Sequence, residues 1–354
     1  MKLKNQPLWL VKLTRYEFWP VNVFYCPFFF YWIYLGLKAQ NLAFLFNINP
    51  AMILGGAVGA GKKEALDHIP VQYKPKTIFF EPGCGLAYVK ELMAKELIAL
   101  PCIAKPNEGE RGQGVEKIAS FDDLERYVNL AIEPFLIQEF VDSTQELGVF
   151  YYKDPVTEQG QITSIVVKNF LSIKGNGQLN LEQLMQQNLR ARFRINYLRT
   201  KFKNQLNRVL DQEEILYLEP IGNHCRGTEF MSGNHLINAK LVAVFDKITK
   251  DFIGFDYGRF DLKISDLNSL YKGKDIRILE VNGVNAEPAH IYDTSYNLIK
   301  AYKDVKKQLD IIYRIYDLKY RHRKDKIRMV HCIPIIKEHL KIQKRRNRLL
   351  NRPT

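Results

Sequence analysis

The chain has 354 residues, 46% hydrophobic and 25% charged, which is enough for two or three domains around a large core and too apolar for a disordered protein. Its five cysteines (Cys26, Cys84, Cys102, Cys225, Cys332) are scattered and form no C-x-x-C pair, which excludes a disulfide framework and a cysteine zinc site and predicts a reducing compartment. The net charge of +14 is lopsided: residues 300–354 hold 18 Lys and Arg against 5 Asp and Glu, so the preceding chain is nearly neutral.

Residues 18–37, FWPVNVFYCPFFFYWIYLGL, carry no charge and are half aromatic. Length alone permits a membrane span. Pro20 and Pro27 predict an interrupted helix, and Trp and Tyr favour the headgroup interface, so the segment reads first as an interfacial or re-entrant anchor. A buried core element and a true span are the alternatives. The Gly- and Asn-rich stretch that follows reads as a loop entering the folded body.

An alternating α/β body comes next. In LPCIAKPNEGERGQGVEKI (100–118) a short apolar strand ends at Lys105-Pro106, and a loop with Gly109, Gly112 and Gly114 leads to a second strand at Val115. Glycines so spaced let backbone N–H groups approach a polyphosphate, but no G-K-[ST] follows and no helix opens, so neither a P-loop nor a Rossmann fingerprint is present. An acidic-capped amphipathic helix then leads to a buried strand ending in Gln138-Glu139-Phe140-Val141. Such a strand end offers backbone groups to an adenine edge, and Glu146, seven residues past Glu139, suits a ribose diol. Both glutamates read equally as strand-end surface charges.

Residues 221–233, IGNHCRGTEFMSG, form a polar segment offering His224 and Arg226; Arg226 suits a carboxylate or phosphate, and an ordinary loop is the alternative. In GFDYGRFDLKI (254–264) Arg259 and Asp261 share a strand face, as Glu280 and Asn282 do in IRILEVNGVNAEPAHIYD (276–293). Two antiparallel strands carrying these pairs gather Asp261, Glu280 and Asn282 into an all-oxygen set that suits Mg²⁺ and not Zn²⁺. Asn285 and His290 follow closely, His290 being either a base for an incoming amine or a structural histidine. From Leu298 to Tyr316 an apolar stripe at helical spacing predicts a helix docked on the core. The basic end beyond it suits an anionic membrane surface, and no nucleic-acid-binding signature accompanies it.

Taken in order, K-P with its glycine loop, Q-E-F-V, a glutamate seven residues on, R-x-D and E-V-N resemble the ATP-grasp superfamily, in particular its D-alanine–D-alanine-ligase-like carboxylate–amine ligases. The resemblance covers residues 105–282 firmly and 63–295 loosely. It implies an α+β ATP-grasp fold with two subdomains gripping ATP: an aromatic segment at 1–60, a body at 61–295 (nucleotide-binding subdomain about 100–170, metal-bearing subdomain about 210–295) and a basic helical extension at 296–354.

The resemblance also implies roles. Lys105 and, earlier, Lys63 bind phosphate oxygens, and the Gly109–Gly114 loop closes over them. Gln138 to Val141 contact adenine, Glu146 holds the ribose, and Lys168 adds a phosphate or adenine contact. Asp261, Glu280 and Asn282 hold Mg²⁺, two ions with Mn²⁺ as a substitute, while Arg259 and Lys105 stabilise the transferring phosphoryl group. His224, Arg226, Asn285 and His290 are substrate candidates. The implied reaction activates a carboxylate as an acyl phosphate and couples it to an amine; the aromatic and basic ends, by their composition, add the cytoplasmic face of a membrane and lipid-linked as well as small-molecule substrates. An ATP-grasp phosphotransferase and a non-catalytic nucleotide-binding membrane module are the alternatives. Two departures stand out: residues 1–60 are too short and aromatic for the usual Rossmann-like leading domain, and Glu108 and Glu110 put negative charge in the phosphate loop unless they turn outward or pair with Arg111.

Overall fold

Short β-branched and aromatic runs separated by tight turns build the body as antiparallel sheets, and amphipathic helices cover the faces these sheets leave apolar. The computed structural model describes residues 6–58, 61–109, 112–143 and 145–350; Glu110 and Arg111, whose pairing the sequence raised, lie outside the described residues.

The N-terminal segment forms α1 (Leu8–Thr14) and α2 (Val21–Lys38), and α3 (Lys62–Asp67) leads into the body. The first lobe contains β1 (Thr77–Phe80), α4 (Leu86–Lys95), β2 (Cys102–Pro106), β3 (Glu116–Ile118), α5 (Phe121–Leu130) and β4 (Phe135–Glu139). Its sheet runs β1-β4-β2-β3, and Phe80, Val89, Leu124, Phe135 and Ile137 bury one face against the two helices. Ser120 starts α5 with a capping box to Asp123, as the acidic first turn predicts.

The chain continues through β5 (Gln145–Lys153) and β6 (Gly160–Asn169) into a small excursion: β7 (Ser172–Lys174), α6 (Leu181–Gln187), α7 (Leu189–Arg192), α8 (Ile195–Lys201) and β8 (Ile215–Tyr217). Then come β9 (Glu229–Ser232), α9 (Ala239–Ile248), β10 (Tyr257–Ile264), α10 (Leu267–Tyr271) and β11 (Ile276–Asn282). The second sheet runs β11-β10-β5-β6-β9. Residues 145–169, grouped by sequence with the nucleotide-binding half, therefore pair into the same sheet as the R-x-D and E-V-N strands. Leu147, Val149, Phe260, Leu262 and Ile278 alternate onto its inner face, where Leu241 and Phe245 of α9 close the core.

The terminal segments meet on this lobe. In α11 (Leu298–Ile315), Ala301, Val305 and Ile312 pack on α2 and the second sheet, the docking that the apolar stripe predicts. The final helix, α12 (Met329–Leu350), follows. Two readings of residues 18–37 are overturned, the interrupted helix and the membrane span. Pro20 precedes the helix and Pro27 sits inside it, so α2 runs unbroken. An interior proline costs roughly 3 kcal/mol, and burial of Phe24, Phe28 and Leu35 offsets it. The buried face makes α2 a packing element. Among the described residues no helix is long and apolar enough to cross a membrane.

Candidate functional site

The two sheets face each other across a cleft of about 600 Å³. One face of the second sheet supplies most of its polar lining, and strand register explains why. Arg259 of β10 lies opposite Asn282 of β11, and Asp261 opposite Glu280, as the period-two reading anticipates. On the other side of β10, Asp261 pairs with Gly148 and Lys263 with Glu146, while Glu146 pairs across β5 with Lys168. Gly148 is required here: a Cβ at this position would lie 2.7 Å from Val166 Cγ1 and 3.0 Å from Asp261 Oδ1.

Asp261 is the electrostatic centre. Arg259 donates to it twice, Nε to Oδ1 at 3.2 Å and Nη2 to Oδ2 at 3.0 Å. Lys168 Nζ stands 3.2 Å from Oδ1 and donates to Glu146 at 2.7 Å, and Asn282 Nδ2 donates to Oδ2 at 3.0 Å. Burial alone would raise the Asp261 pKa; Arg259 and Lys168 outweigh it and hold the carboxyl below its usual range. Glu280 is freer: its side chain is 30% exposed, and its ion-pair partner Lys62 is 3.8 Å away. Arg259 is fixed further by donating to the Glu287 carbonyl at 3.0 Å.

The first lobe contributes Lys105, whose Nζ donates to Gln138 Oε1 and to the Leu279 carbonyl, both at 3.0 Å. Burial pulls its pKa down to about 8 against the opposing pull of Glu280. Gly109, Gly112, Gln138, Glu139, Phe140 and Val141 line the same cleft. Gly112 and Gly114 have positive φ (71° and 68°), so glycine is needed at both turns.

The lysine expected at 63 is corrected to Lys62. Lys63 is exposed and tied to Asp67 at 2.7 Å, whereas Lys62 is buried and donates to the Asn107 and Gly109 carbonyls at 3.3 and 3.1 Å. His290 is also removed from the cleft: its ring is buried, with Ser164 Oγ 2.6 Å from Nδ1 and Asp304 Oδ2 2.9 Å from Nε2. His224 faces the N-terminal segment, between Glu17 and the Tyr292 ring. Arg226 does not line the cleft; it donates to the Gly112 and Val115 carbonyls and so ties down the glycine loop. Gly114 packs against Pro106 outside the lining, and Asn285 lies at the rim, bonded to the Ala57 carbonyl.

Sequence reading passed over Lys263 in the cleft. Lys263 continues the alternation of Arg259 and Asp261, and that period was the available signal; its buried Nζ donates to the Val141 carbonyl at 2.9 Å. Glu287, which the sequence places with Asn285 just past the E-V-N strand, lines the cleft as well. Among the described residues no cluster of three or more His, Cys, Asp or Glu side chains forms a metal site. The set offered by Asp261, Glu280 and Asn282, two carboxylates and a carboxamide, matches a hard dication completed by phosphate and water.

No protein-family model matches the chain, and no curated protein does. Among solved structures it is similar to a bifunctional glutathione synthetase from Pasteurella multocida, at 15% identity and a TM-score of 0.37, covering 70% of this chain and 35% of that one. It is similar to a D-alanine–D-alanine ligase from Bacillus anthracis at 16% identity and a TM-score of 0.39, covering 74% and 67%. A VanG D-Ala:D-Ser ligase from Enterococcus faecalis gives 14% identity and a TM-score of 0.42, covering 75% and 64%. The chain thus spans well under half of the first and close to two thirds of the other two.

Proposed function

We propose that the chain is an ATP- and magnesium-dependent ligase of ATP-grasp type that joins a carboxylate to an amine. The observation that carries this reading is the cross-strand pair Asp261 and Glu280, set in one cleft with Lys105, Lys168 and Arg259. Five cationic side chains, Lys62, Lys105, Lys168, Arg259 and Lys263, share the cleft with five carboxylates, Glu139, Glu146, Asp261, Glu280 and Glu287, and such a mixture suits a polyphosphate carried with a divalent cation.

In this reading Lys62 and Lys105 hold phosphate oxygens beneath the Gly109–Gly112 loop. Gln138 to Val141 meet the adenine and Glu146 the ribose. Asp261, Glu280 and Asn282 hold Mg²⁺, two ions or Mn²⁺ in their place. When bound, the metal neutralises phosphate charge. Arg259 and Lys168 keep Asp261 ionised and oriented. An oxygen of the substrate carboxylate attacks the γ-phosphorus, the bond to the bridging oxygen breaks, and ADP leaves. Arg259 faces the charge that develops on the transferring group. The amine then attacks the acyl carbon, loses its proton, and phosphate departs.

The test is ATP turnover with a panel of carboxylates in the presence of hydroxylamine. Wild-type chain releases ADP and forms a hydroxamate; Glu280→Gln does neither. ADP release with a stable phosphorylated product and no hydroxamate would instead identify a phosphotransferase. Nucleotide binding with no substrate-dependent ADP release would identify a sensor.

The same reading places the enzyme on the cytoplasmic face of a membrane, where lipid-linked substrates become accessible. What supports it is the outward side of α2, with Phe29, Phe30 and Leu37 all more than half exposed, together with the basic α12. Cosedimentation with anionic liposomes that is lost in Phe29→Ser/Phe30→Ser, and weakened by salt, is the expected result; binding indifferent to both removes the membrane.

A further inference from the structure

The cleft has two ends of different chemistry. Toward Glu139 and Lys263 it is charged; toward the terminal helices its walls are Tyr25, Val284, Val305, Leu309 and Ile312, with Gln308 among them already accepting from Tyr257 and donating to Thr163. The contrast follows from the second sheet. The row formed by Lys263, Glu146 and Lys168 opens toward the first lobe, whereas Phe150 and Tyr257, on the same face, are roofed by α11 and α2. A phosphate entering the roofed end would lose its hydration without gaining a donor. Whatever occupies it is apolar.

Glu287 stands between the two ends. Its carbonyl accepts from Arg259, which faces the reacting centre. Its carboxylate lies beside the Tyr25 phenol, whose pKa burial first and this carboxylate second push well up. A carboxylate at the rim of an apolar chamber attracts an ammonium group and repels a second carboxylate.

We propose that the chamber between α2, α11 and β10 seats the amine substrate, that this amine carries an uncharged aliphatic or aromatic body, and that Glu287 holds its ammonium group near Arg259. The proposal rests on the ligase reading above. It assigns the terminal segments a place in substrate selection: α2 and α11 build the chamber that determines which amine enters.

The experiment is calorimetric titration of the full chain, saturated with Mg–ADP, with n-butylamine, n-hexylamine and 2-phenylethylamine, and with ethanolamine and hexanoate as controls. Each added methylene tightens binding about three- to fourfold, so hexylamine binds about tenfold tighter than butylamine, and ethanolamine and hexanoate bind weakly. Leu309→Trp and Ala286→Leu, which fill the chamber from different sides, abolish amine binding, and Glu287→Gln weakens it about tenfold. Unchanged Mg–ADP affinity in each variant shows that the fold is retained. Amine affinity that ignores chain length, survives both filling variants, or gives way to tighter hexanoate binding overturns the proposal while leaving the nucleotide site standing. Failure of the wild-type chain to bind Mg–ADP overturns the ligase reading and this proposal with it.

Discussion

Asp261 and Glu280 lie opposite each other on β10 and β11, yet amidating one has a different cost from amidating the other. Asp261→Asn leaves Arg259 and Lys168 buried without their shared counter-charge, a loss of roughly 3–5 kcal/mol. For a chain of this size that lowers the unfolding midpoint by about 4–7 °C. Glu280→Gln removes a partly exposed charge whose ion-pair partner is 3.8 Å away, so stability changes by less than about 0.5 kcal/mol. Both variants lose ATP turnover. Thermal unfolding separates them, and equal midpoints would show that Asp261 does not bind the cluster together. Lys105 gives a pH prediction. Burial holds its pKa near 8 in the folded chain against 10.5 for an ordinary lysine. The phosphate contact proposed for Lys105 needs the protonated form, so on that reading kcat/KM for ATP falls as pH rises through about 8, and Lys105→Arg abolishes that fall because a guanidinium stays charged. Stability of the ligand-free chain moves the opposite way. Below pH 8 the buried charge is fully present and costly; between about 8 and 10.5 the unfolded chain binds the extra proton, so folding strengthens. A flat ATP profile across pH 7–9.5 would remove Lys105 from the phosphate site.

At the scale of elements, α2 shows where sequence was legible and where it was not. The alternation of Arg259, Asp261 and Lys263, and of Glu280 and Asn282, is local, because a strand turns alternate side chains to one face whatever surrounds it. The position of the early lysine is not local in that sense. Adjacent helical residues point about 100° apart, so only the docking of α3 decides that Lys62 enters the cleft and Lys63 meets solvent. For residues 18–37, composition revealed apolarity but not the partner, since α11 lies far along the chain and the contact is wholly tertiary. Phe24 illustrates the consequence: it is 1% exposed and packs against Tyr16, Tyr25 and Tyr302. Phe24→Ala should destabilise the chain by about 3–5 kcal/mol, while Phe29→Ser/Phe30→Ser, on the outward side of the same helix, changes stability by under about 1 kcal/mol. Urea denaturation compares them directly. Equal effects would mean that α2 does not dock as described.

Across the whole molecule, the glycine loop is held from both sides by elements remote in sequence. Arg226, between β8 and β9, donates to the Gly112 carbonyl at 2.5 Å and to Val115 at 3.1 Å. From α12, His339 Nδ1 lies 3.3 Å from Glu108 Oε2. In the proposed function this loop admits a polyphosphate and closes over it, so the resting position of the clasp would set how much ordering the ligand must supply. Arg226 is itself anchored by Glu219, which is 1% exposed and also pairs with Arg194 at 3.3 Å. Arg226→Ala removes two charge-assisted hydrogen bonds from the loop but leaves Glu219 its other partner, so the lobe stays folded while the loop loosens. Each such bond contributes about 1.5–3 kcal/mol, and since ATP recovers part of the lost order on binding, the expected cost is about a tenfold rise in KM for ATP with kcat changed less than about twofold. Hydrogen exchange at the amides of residues 112–118 should quicken in the free variant and return toward wild-type protection when Mg–ADP is added. Unchanged KM together with unchanged exchange would show that the clasp is incidental, and that the loop is positioned by Gly112, Gly114 and Pro106 alone.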